Sequence, residues 1–109
     1  MEIIMNIQIS TGKNIDGGEK FSTYVSGVVQ QAMDCFNAQI THVGVHFSDQ
    51  NSSKTGYLDK RCVMEYHIAG KNSTAVTYDA GTVDEALLGA VEKVRHSLEH
   101  TIGKMGKRF

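Results

Sequence analysis

EKFSTYVSGVVQQAMDCF, residues 19–36, places Phe21, Tyr24, Val25, Val28, Val29, Ala32, Met33 and Phe36 at alternating intervals of three and one. That spacing returns an apolar side chain to one side of a 3.6-residue helix at each turn, which predicts an amphipathic helix. Asp16 and Glu19 carry the spacing of a capping box at its start, with Gly17 and Gly18 between them.

On either side of this helix the period changes from 3.6 to 2. Ile3, Met5, Ile7 and Ile9 alternate with Ile4, Asn6, Gln8 and Ser10, the pattern of a strand with one strongly apolar face. Beyond the helix, residues 40–49 alternate again. Thr41, Val43, Val45 and Phe47 are expected on the inner face, with His42, Gly44, His46 and Ser48 on the outer one. Residues 50–59 are polar and read as a loop. A third strand follows over about 60–69, with Cys62, Met64, Tyr66 and Ile68 inward and Arg61, Val63, Glu65 and His67 outward.

Gly70-Lys71-Asn72 is a turn signal, so the strand predicted over 74–80 should pair with the third as a hairpin. Thr82-Val83-Asp84-Glu85 reads as a capping box with acids in the first helical turn. Val83, Ala86, Leu87, Ala90, Val91, Val94, Leu98, Ile102 and Met105 then trace a long helical stripe. The order is β-α-β-β-β-α. One apolar face per strand and one stripe per helix call for two layers, both helices covering the same side of a four-stranded sheet. This α+β arrangement is similar to double-stranded-RNA-binding-domain topology, and other modules share it.

At 109 residues, 40% hydrophobic and 21% charged, the chain fits one globular domain over 1–109, with residues 103–109 read as a basic tail. Its first residues lack a basic n-region and an apolar h-region, and no run approaches the ~20 apolar residues that span a bilayer. The expected compartment is the cytoplasm, with no membrane partner. Cys35 and Cys62 form neither a close pair nor part of a zinc quartet and read as reduced thiols in or near the core.

Charge is uneven. Residues 92–109 hold Lys93, Arg95, Lys104, Lys107 and Arg108 against Glu92 and Glu99, a balance of +3. Residues 1–91 hold six basic and ten acidic residues, a balance of −4. The basic end points to an anionic partner, although lysines at the negative end of a helix dipole give the same pattern.

No catalytic constellation has a signature here, and residues 12–18 lack the Gly-Lys-Ser/Thr ending of a phosphate loop. His42 and His46 share a strand face, and pairing of the second and third predicted strands could bring His67 beside His42. His96 and His100 stand four apart on the last helix with no third ligand beside them in sequence. Neither set predicts a metal site or other cofactor. Lys93, His96, His100 and Lys104, spaced 3, 4 and 4, fall along one side of that helix. Two permanent cations around two imidazoles make this stripe the best candidate surface in the chain.

Over most of its length the chain resembles the ribosome hibernation-promoting factor family, which includes ribosome-associated inhibitor A, or factor Y. The resemblance runs from Met5-Asn6-Ile7 to about Lys104. In the last helix Ala86-Leu87 and Glu92-Lys93-Val94-Arg95-His96-Ser97-Leu98 are similar to the family's pattern. Val45-His46-Phe47-Ser48-Asp49 and Asp59-Lys60-Arg61-Cys62-Val63-Met64-Glu65 resemble a divergent bacterial branch. Lys93, His96 and Lys104 fall where members carry basic residues that meet ribosomal RNA, and His100 falls on another often basic position. The chain resembles the family's short form.

The resemblance implies a translation regulator that binds the small subunit and its rRNA, blocking translation or stabilising idle ribosomes during stress. Its expected contacts are Lys93, Arg95, His96, His100, Lys104, Lys107 and Arg108, with Lys60 and Arg61 as auxiliaries. Two departures favour an alternative. Val28 to Phe36 contains no Lys or Arg, unlike well-studied members, and Asp84 stands where an aromatic is expected. The alternative is a protein-interaction module or weak homodimer joined through His42, Gly44, Val63 and Glu65.

Overall fold

The computed structural model describes residues 6–12, 15, 17–34, 39–49 and 60–106, with side chains up to Thr101. Its elements are β1 (Asn6–Thr11), α1 (Glu19–Ala32), β2 (Ile40–Asp49), β3 (Lys60–Ile68), β4 (Ser73–Ala80) and α2 (Val83–Gly106). The β-α-β-β-β-α order is the expected one. The strands form a mixed sheet in the order β1-β2-β3-β4. β1 and β2 run parallel, because the chain returns through α1, and the other neighbours are antiparallel.

Alternation sets the inner face. Val43, Val45, Phe47, Cys62, Met64, Tyr66 and Ile68 are buried together with Val25, Val29 and Met33 of the first helix. Ala86, Leu87, Ala90, Val91, Val94 and Leu98 of α2 join the same cluster, so both helices cover one side of the sheet. Phe21 anchors α1 on β2 by an edge contact with Phe47, ring centroids 5.2 Å apart. Tyr66 reaches α2 through its hydroxyl, 2.6 Å from Ser97 Oγ.

The structure corrects three details of the sequence reading. Thr41 is exposed and Ile40 is buried in its place. Ile40 pairs with Ile68 while His42 pairs with His67, so an irregularity at Thr41 inserts one residue and reverses the faces there. Tyr24 is 48% exposed and leaves the apolar stripe of α1. Finally, Gly18 is the N-cap of α1, with φ of 135° and no side-chain cap bond. The proposed Asp16 partner lies outside the described residues, as do Cys35 and Phe36.

The second capping site is built as expected: Glu85 N–H donates to Thr82 Oγ1 at 3.1 Å. The β3–β4 turn uses Gly70 at φ 81°, and Lys71 N–H closes it onto the Ile68 carbonyl at 2.9 Å. Among the described residues no helix is long and apolar enough to cross a membrane.

Candidate nucleic-acid interface

α2 buries Ala90, Val94 and Leu98 against the sheet, which turns Lys93, His96 and His100 outward along one flank. All three are exposed. Lys93 is not extended into solvent: its Nζ donates to the Thr77 carbonyl of edge strand β4 at 2.9 Å and lies 6.0 Å from the centroid of the Tyr78 ring. His96 and His100 have no hydrogen-bond or ion-pair partner in the described structure.

The remaining cations of the expected set sit elsewhere. Arg95 is two residues from Lys93 and therefore on the opposite side of α2. There it meets Glu92 at 3.2 Å and Glu99 at 3.8 Å. Arg61 projects from the outer sheet face and grips Asp79 of β4 through two bonds, 2.8 and 3.1 Å. The hydrogen bond from Arg61, with the charges of Arg61 and Lys93 adding to it, holds the Asp79 carboxyl below its ordinary range, against the opposing effect of burial. Lys60 lies 3.7 Å from Asp49. The Lys104 side chain and residues Lys107 and Arg108 lie outside the described set.

The described members of the expected set are thus divided between two sides of α2 and the start of β3. On the other flank of α2, Tyr24 of α1 donates its hydroxyl to the Asp84 carboxylate. That bond, and the negative charge it faces, raise the Tyr24 phenol above its ordinary value. No local pattern could have shown this contact, since the partners stand sixty residues apart.

The outer sheet face pairs His42 with His67, as the strand reading anticipated, and places His46 opposite Val63. Ser10 Oγ lies 2.7 Å from His46 Nδ1, and Thr41 Oγ1 lies 2.8 Å from His67 Nδ1. Gln8, His42, Gly44, His46, Val63 and Glu65 line a shallow concavity of about 510 Å³ there. Among the described residues no group of three or more His, Cys, Asp or Glu is placed to hold a metal ion.

Comparison with known proteins adds a fold likeness. No family model matches the chain, and no curated protein matches it by sequence. Its structure is similar to that of a ribosomal subunit interface protein from Coxiella burnetii, with a TM-score of 0.73 at 12% identity, covering 91% of this chain and 99% of that one. It is also similar to the N-terminal domain of Thermus thermophilus Protein Y, with a TM-score of 0.69 at 17% identity, covering 89% and 99%. The chain therefore has the fold of these proteins over nearly all of their length.

Proposed function

We propose that this chain is a ribosome-associated translation regulator of the hibernation-factor kind, a single non-enzymatic domain acting in the cytoplasm. It would bind small-subunit rRNA through the outer flank of α2 and either inhibit translation or stabilise idle ribosomes. The observation that carries the reading is the fold shared over almost the full chain with a ribosomal subunit interface protein and with Protein Y. The exposed row of Lys93, His96 and His100 supports it, continued in sequence by Lys104, Lys107 and Arg108. Contacts of such groups to phosphates position a protein without reading base sequence.

Co-sedimentation with purified bacterial ribosomes and separated subunits over a salt series tests this. Wild type should travel with the small subunit or whole ribosome, and salt should release it steeply because RNA contact displaces counterions. The variant carrying Lys93→Glu and Lys104→Glu, first checked for folding, should bind more weakly. Wild type remaining free at low salt defeats the reading.

A second reading is favoured by the internal pairing of Arg61, Arg95 and Lys60, which leaves fewer cations for phosphate. In it the chain is a protein-interaction module or homodimer joined through the face of His42, Gly44, Val63 and Glu65. A dimer that survives dilution and is indifferent to salt distinguishes it.

A further inference from the structure

We propose that His96 and His100 form a two-imidazole site for a divalent transition-metal ion of the zinc class on the outer flank of α2. Side chains four apart on a helix leave the same face with Cβ atoms about 5–6 Å apart. That span lets two imidazole nitrogens meet one ion at their usual ~2.0–2.1 Å. Val94 and Leu98, fully buried on the opposite side, hold this stretch of helix against the sheet, so the two ligands start from a fixed backbone.

Two of the other histidines are committed differently. His46 and His67 each hold a hydroxyl through Nδ1. His42 leans over Gly44, its Nε2 3.6 Å from where a Cβ would stand. His96 and His100 are exposed and make no hydrogen bond in the described structure, so both rings are free to turn onto an ion.

Surrounding charges are of both signs, with Lys93 and Lys104 about one turn to either side of the pair in α2. Lys93, one turn earlier, is drawn toward Thr77 and Tyr78. Glu92 and Glu99 bracket His96 at four residues before and three after, and their shared partner Arg95 leaves the trio one net negative charge. Imidazole suits zinc, nickel and copper, with copper the tightest by the usual divalent order.

Two protein ligands leave coordination positions for water or a phosphate oxygen. A bound ion would therefore place positive charge on the flank where Lys93 is held back, and this consequence rests on the ribosome reading above.

Calorimetric titration of the untagged full chain with zinc chloride at neutral pH is the first test. One ion per chain is expected, with His96→Gln and His100→Gln each weakening it roughly tenfold or more. His42→Gln and His67→Gln should leave it unchanged. Binding that ignores changes at both 96 and 100, or that appears only at millimolar zinc, overturns the site. The second arm is ribosome co-sedimentation at fixed magnesium, with and without zinc. Zinc should increase pelleting of wild type but not of His96→Gln. Equal pelleting in both conditions removes the ion from ribosome binding and leaves the ribosome reading standing. A saturated site with no pelleting in either condition defeats the ribosome reading and leaves the metal site intact.

Discussion

The ring of Tyr78 on β4 lies across Gly89 on α2, in the space a side chain at residue 89 would need. A Cβ there would stand 2.1 Å from Tyr78 Cε2 and 2.2 Å from Cδ2. The glycine lets the helix approach the edge strand, and the ring is in turn faced by Lys93. Gly89→Ala gains helix propensity of about 1 kcal/mol but must displace the ring. In the wild-type background it should lower stability by about 1–2 kcal/mol, as read by urea denaturation. In a Tyr78→Ser background the same change should stabilise by about 1 kcal/mol. Additive effects would show that the ring and the glycine are not coupled.

Tyr24→Phe removes the bond between α1 and α2 without changing the shape of the ring. Because Tyr24 is 48% exposed, its loss should cost about 1 kcal/mol or less in chemical denaturation. The raised phenol sets the sign of the pH effect. This contribution is full below the ordinary tyrosine value of ~10 and fades as the native phenol ionises above it. Stability of wild type and Tyr24→Phe should therefore converge in strong alkali.

Asp79 gives the opposite pH signature. Its carboxyl is held low in the folded chain, so the unfolded chain binds the proton first as pH falls. The Arg61–Asp79 contribution is complete above the ordinary aspartate value of ~3.9 and is lost as pH falls through the native value. Thermal melts between neutral pH and pH 3 should show a shallower acid decline for Asp79→Asn than for wild type. Both side chains are about one-third exposed, so salt should reduce the difference.

Cys62 is fully buried, and burial pushes its thiol up to about 12. The reactive thiolate is consequently scarce at neutral pH. In a Cys35→Ser chain, iodoacetamide should label Cys62 only on unfolding, with the labelling rate rising through the denaturant transition. Cys62→Ser puts a hydroxyl at a core position and should cost about 1–3 kcal/mol. Rapid labelling under native conditions would contradict the buried placement.

Most of the architecture is legible in the residue pattern because periodicity reports which side chains share a face. The stripe from Ala86 to Leu98 and the alternation of Cys62, Met64, Tyr66 and Ile68 both mark buried residues. The Thr82 cap is local and was equally readable. Thr41 misled because an inserted residue reverses a strand's faces without any composition signal. Tyr24 misled because a stripe shows direction, whereas exposure depends on what α2 leaves uncovered.

The element order, the two layers and the row of Lys93, His96 and His100 are written in local spacing, since each follows from positions along one segment. Which charges pair with which is set by long-range packing. Arg61 is brought to Asp79, Lys93 to Thr77 and Tyr24 to Asp84 by strand register and helix docking. Those meetings join distant positions in the chain. A cation's availability to a partner depends on its nearest carboxylate or carbonyl in space, which no local pattern encodes.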